Sequence, residues 1–156
     1  MRTSRILLLI AAGAVVGFSI FGALVYRAID VEEVATPEAL RRVAAVRAAF
    51  DDATPMLELD GSGAVIRRAD PPLGERRPLE RLGVLTYRAR EQQLIRANVP
   101  FWFFALKGPA LQFALRGTGL DLARLQLTAA DLERHGPGLI IDQTGANGDR
   151  LLVWTE

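Results

Sequence analysis

The chain has 156 residues, with 19 basic and 18 acidic side chains, one histidine and no cysteine. A near-neutral balance lacks the basic surface that nucleic acid requires, so no nucleic-acid partner is expected. The absence of cysteine excludes disulfides and lipoprotein attachment, and a lone histidine gives no basis for a zinc or haem centre; no cofactor and no metal site are expected.

Residues 6–26 carry no charge. At ~1.5 Å rise per residue, a helix of that length spans about 30 Å, the thickness of a bilayer's hydrocarbon core. A helix is expected because lipid offers backbone N–H and C=O groups no partner. Arg2 and Arg5 precede the run, and Arg27, Asp30, Glu32 and Glu33 follow it. Positive charge stays in the cytoplasm. Residues 1–5 are therefore expected inside, 6–26 as one transmembrane helix, 27–35 as a linker and 36–156 as an extracytoplasmic domain. Tyr26 suits the outer interface. The alternative is a cleaved signal peptide ending at Gly17-Phe18-Ser19, which would make the domain secreted. Apolar residues continuing to Val25 favour an uncleaved, single-pass signal anchor at the cell membrane. Gly13 and Gly17 lie on one helix face and let a second copy approach closely, a candidate homodimer contact.

Within the domain, Thr36-Pro37-Glu38 reads as a helix start with Thr36 as the cap. Leu40, Val43, Val46 and Phe50 recur at helical spacing and form its apolar stripe. Residues 56–60 and 64–68 flank Gly61-Ser62-Gly63 as a hairpin, and 70–78, rich in proline and charge, reads as a loop. Residues 79–88 and 93–99 form a second hairpin around Ala89-Arg90-Glu91-Gln92. The most apolar run outside the anchor is Phe101-Trp102-Phe103-Phe104-Ala105-Leu106, read as a central strand or short helix and followed by 109–115. Residues 120–127 alternate as a strand. Thr128-Ala129-Ala130-Asp131 resembles a capping box for a short helix ending at His135, stopped by Gly136-Pro137-Gly138. Residues 139–142 and 150–155 close the chain as a third hairpin. The expected fold class is α+β: one N-terminal transmembrane helix, then a small exported domain with a mostly antiparallel sheet and two helices.

Few residues suggest chemistry. His135 sits where a helix C-terminus would favour a partly positive ring, a structural role. Ser62 and Lys107 are the serine beyond the anchor and the chain's one lysine; together they would form a Ser–Lys dyad, although a serine between glycines is ordinarily a turn residue. Asp142, Asn147 and Asp149 offer oxygen ligands but lack the spacing of a calcium loop. As a strand, the aromatic run would bury Phe101 and Phe103 on one face and leave Trp102 and Phe104 on the other, for the membrane or a protein partner. The sequence thus reads as a membrane-anchored extracytoplasmic interaction or scaffolding module without assigned catalytic residues. The alternatives are a Ser62/Lys107 hydrolase and a lipid or apolar-ligand binding domain.

Overall fold

Strand β4 (Arg81–Arg88) carries Leu82, Val84, Leu85 and Tyr87, all buried, so it needs a cover on both sides. The rest of the fold supplies those covers. The structure is a computed structural model that describes residues 29–51, 53–69, 76–105, 121 and 124–156, with side chains from 104 and 105 left out. The transmembrane segment, Gly13, Gly17, Lys107, the Phe104 side chain and residues 109–115 lie outside what is described. Among the described residues no helix is long and apolar enough to cross a membrane.

The elements are β1 (Ile29–Glu33), α1 (Thr36–Ala48), β2 (Leu57–Leu59), β3 (Val65–Arg68), β4, β5 (Gln93–Pro100), a 3-10 helix (Phe101–Ala105), α2 (Ala129–His135), β6 (Gly138–Thr144) and β7 (Arg150–Thr155). The seven strands form one sheet in the order β1-β5-β4-β7-β6-β2-β3. All pairs are antiparallel except β2 with β6, which meet in parallel at Leu57 and Ile141. The class is α+β, with a mostly antiparallel sheet and two α-helices.

Alternation divides the sheet into two faces. On one, Leu85, Tyr87, Leu94, Leu152 and Trp154 pack with Val34, Ala39 and Val43. On the other, Leu82, Val84, Ala97, Val99 and Val153 pack with Phe101, Phe103, Leu125, Leu127 and Leu132. A register shift between Leu139 and Ile141 sends these two residues to opposite faces, where unbroken alternation would keep them together. Helix α1 is fastened to the sheet by an exposed ion pair, Arg42 with Glu32 of β1 at 2.6 Å, and by two further polar contacts on the first face. The Thr36 hydroxyl lies 2.7 Å from that of fully buried Tyr87. Arg47 Nε donates to Asp142 Oδ2 at 2.9 Å, while Arg150 Nη2 donates to the carboxylate's other oxygen, also at 2.9 Å. Trp154 lies directly over Gly83, where a β-carbon would overlap the indole; here glycine is required for space.

Several local expectations are corrected. Residues 27–35 are not all linker: Ile29–Glu33 pairs with β5 along its length, Ile29 opposite Ala97 and Glu33 opposite Gln93. The N-cap of α1 is Ala35 without a side-chain cap, because the Thr36 hydroxyl is engaged with Tyr87. Leu40 is exposed, and the buried stripe runs Ala39, Val43 with Val46 and Phe50 packed beside it. Of the two forms expected for the aromatic run, strand or short helix, the structure has the short helix, a 3-10 helix. With three residues per turn, it sends Phe101 and Phe103 into the core and Trp102 out, 54% exposed. Of the expected strand 120–127, residues 124–126 form a turn and Gln126 has φ +51°. The capping box at α2 forms as expected: Asp131 N donates to Thr128 Oγ1 at 3.2 Å and Thr128 N donates to Asp131 Oδ2 at 3.1 Å.

Because β1 belongs to the sheet and Val34 to the core, a protein beginning at Val34 exposes the edge of β5. A version that keeps Ile29–Glu33 is expected to unfold in one cooperative thermal transition. The version starting at Val34 is expected to melt at a lower temperature and to aggregate, as read by circular dichroism and light scattering.

Candidate functional site

The strands run so that the C-terminal ends of β2, β4 and β6 meet at one end of the sheet. A cleft of ≈ 280 Å³ opens there, lined by Ser62, Thr86, Arg88, Arg124, Gln143 and Asp149 among others. Its floor is sheet, through Thr86, Gln143 and Leu151; its walls are the β2–β3 turn, the turn at 124–126 and the loop before β7.

The Ser62 wall is organised by one carboxylate. Asp60 Oδ1 accepts hydrogen bonds from Ser62 Oγ at 2.6 Å, Ser62 N at 2.8 Å and Ala64 N at 2.9 Å. The Ser62 hydroxyl and then the Ala64 amide hold this carboxyl below the ordinary carboxylate range. Gly63 closes the turn at φ +81°, a conformation that glycine adopts without strain. Gln143 Nε2 donates to the Asp60 carbonyl at 2.7 Å, pinning the turn to β6. Across the cleft, Arg124 Nη2 reaches the Ser62 carbonyl at 3.4 Å, Asp149 Oδ1 accepts from Ala89 N at 2.8 Å, and Arg88 pairs with Glu91 at 3.1 Å.

Among the described residues the cleft gathers polar groups around Ser62, whose hydroxyl meets the Asp60 carboxylate. The Ser62 hydroxyl donates to a carboxylate whose lowered pKa makes it a weak base, and its dyad partner Lys107 lies outside the described residues. Asp142 is not a free oxygen ligand, since Arg47 and Arg150 occupy it from both sides. Asp149 is turned to the Ala89 amide. Among the described residues no three His, Cys, Asp or Glu side chains come together as a metal cluster. Trp102 is far from this cleft, on the 3-10 helix beyond the opposite end of β5, where its ring packs on Phe103 with centroids 4.3 Å apart.

His135 is also outside the cleft. Burial pushes its imidazole below the ordinary 6.5, outweighing a hydrogen bond with the Leu139 backbone that acts in the other direction. Desolvation thus works against the partly positive ring expected at the helix end.

Arg88, Arg124 and Gln143 carry no signal in the sequence; each stands alone in its segment, and only the fold brings them together. Compared with family models, with curated proteins and with solved structures, the chain matched none.

Two expectations follow. Ser62→Ala, at an exposed turn position, should change stability by no more than about 0.5 kcal/mol. Asp60→Ala removes the acceptor of two backbone amides and should lower the melting temperature visibly more; equal effects would show that the hydroxyl, not the carboxylate, organises the turn. For His135, the folded state binds fewer protons than the unfolded chain just below pH 6.5. Its contribution to stability is whole above that pH and is lost as pH falls towards the folded value. The wild-type melting temperature is expected to drop from about pH 7 to about 5.5, and the drop to shrink in His135→Gln. The carboxylates held low, Asp60 by Ser62 and Glu58 by Arg67, lose their share only under stronger acid.

Proposed function

We propose that the protein is a single-pass, membrane-anchored extracytoplasmic interaction module, held by residues 6–26 and acting by binding rather than catalysis. The observation that carries this reading is the position of β1. The first strand begins three residues after the uncharged run and is hydrogen-bonded into the sheet from Ile29. Three residues reach at most ~11 Å, so an anchor at 6–26 keeps the folded domain against the bilayer with no flexible tether. Such a mount suits a protein that meets partners at a fixed height above a membrane.

The polarity of the cleft fits the same reading. Its described charges are of both signs, Arg88, Arg124 and Arg150 with Asp121 and Asp149, which suits a mixed polar surface of a protein partner. On the anchor, the Gly13 and Gly17 face offers a route to a homodimer.

Topology tests the proposal. A reporter that works only outside the cytoplasm, fused after Glu156 through a flexible linker, is expected to be active. A fluorescent protein restricted to the cytoplasm should stay dark at the same position. The reverse result would overturn both anchor direction and function.

A further inference from the structure

We infer that the domain rests on the lipid surface through the end of the sheet that carries Trp102, and turns the Ser62 cleft away from the bilayer. The inference rests on the reading of residues 6–26 as a membrane anchor and adds to it the orientation of the domain and a lipid contact.

The two ends of the sheet differ. At one end lie the start of β1, the start of β4 and the end of β5: Ile29 pairs with Ala97, and Arg81 with Pro100. The chain enters the described domain at this end, so the apolar run must stop within ~11 Å of Ile29. The 3-10 helix Phe101–Ala105 leaves from the same end, and Phe101 N donates to the Glu80 carbonyl at 2.8 Å. Phe101 and Phe103 anchor this helix in the core, while Trp102 between them is 54% exposed. A core-anchored short helix that presents one indole beside the point where an anchor emerges has the form of an interfacial contact. The amphipathic ring of tryptophan favours the headgroup level of a bilayer.

The cleft lies at the other end. Arg88 closes β4, the Asp60–Gly63 turn closes β2, and both line the cleft or its wall. Strand β4 is eight residues long from Arg81 to Arg88, and at ~3.4 Å per step this places the cleft about 24 Å from the Trp102 end. Charge near the Trp102 end is balanced among the described residues: Arg76, Arg77 and Arg81 stand with Glu80, Glu133 and Glu156. Arg77 N bonds the Glu133 carbonyl at 3.0 Å, and Glu80 N bonds that of Glu156 at 2.6 Å. The contact is therefore apolar and dipolar in character and does not call for anionic lipid.

The chain has no cysteine, so single labels are clean. The full chain is reconstituted in phosphatidylcholine vesicles as Trp102→Cys or Ser62→Cys, each carrying an environment-sensitive fluorophore. The label at 102 is expected to shift to the blue, to be quenched by lipid brominated near the headgroup and to lose quenching by aqueous iodide. The label at 62 should keep full iodide quenching, and replacing part of the lipid with phosphatidylglycerol should change neither. Flotation of the vesicles after an alkaline wash reports the anchor separately. Protein that floats with both labels open to iodide overturns the orientation and leaves the anchor reading standing. Protein that no longer floats overturns both. A blue-shifted, bromine-quenched label at 62 reverses the assignment of the ends.

Discussion

A central strand that is apolar on both sides cannot exist in a bare sheet, and this constraint organises the whole domain. From Leu82 to Tyr87 no residue of β4 reaches solvent freely. Its neighbours β5 and β7 satisfy the backbone, but the side chains need two separate covers. Helix α1 supplies the first. The aromatic 3-10 helix, Leu125, Leu127 and Leu132 of α2 supply the second. Where cover and sheet come closest, Trp154 occupies the space above Gly83 and packs against Phe50, ring centroids 6.2 Å apart. Fully burying a large apolar side chain contributes roughly 1.5–3 kcal/mol, so these layers outweigh any ion pair on the surface. The Arg47–Asp142–Arg150 cluster has a different role: with each side chain about a quarter exposed, it fixes where α1 lies more than how firmly.

The hairpins and the second helix were legible because their signals are local. Alternating apolar residues around Gly61-Ser62-Gly63, or Thr128 three positions before Asp131, specify the structure with little help from the remainder. The first strand was not legible, for the opposite reason. Ile29-Asp30-Val31-Glu32-Glu33 is charged and mostly exposed, and its only qualification as a strand is the open edge of β5, which no local pattern reveals. Thr36 illustrates a third case. Its residue type suits a cap, but a buried tyrosine hydroxyl 51 positions away required a partner more urgently. The aromatic run was legible as a strand or a short helix but not as one rather than the other, and Phe101, Phe103 and Trp102 divide as expected. Five residues are too few to separate a strand from a 3-10 helix, whereas a single exposed ring between two buried ones is compatible with both.

The cleft shows why a site can be absent from a sequence while present in a structure. Its polar groups come from four segments, and none of them forms a motif with its own neighbours. Most are already satisfied: Asp60 by its turn, Asp149 by a backbone amide, Arg124 by the Ser62 carbonyl. Arg150, which also lines the cleft, donates through Nη2 to Asp142.

Among the described residues the sheet does not close on itself, and no further strand pairs with its far edge, β3. All four residues of β3 are exposed, and Ile66 is 67% so. An unpaired strand edge can pair with the edge of another copy. Three features of this edge oppose such pairing. The strand is short, the β2–β3 ladder is broken by a register shift at Glu58 and Leu59, and its last two residues are arginines on opposite faces, Arg67 paired with Glu58 and Arg68 bonded to the Leu125 carbonyl. The sequence Val-Ile-Arg-Arg thus makes a poor template for a further strand, although two hydrophobic residues, Val65 and Ile66, stay exposed on it.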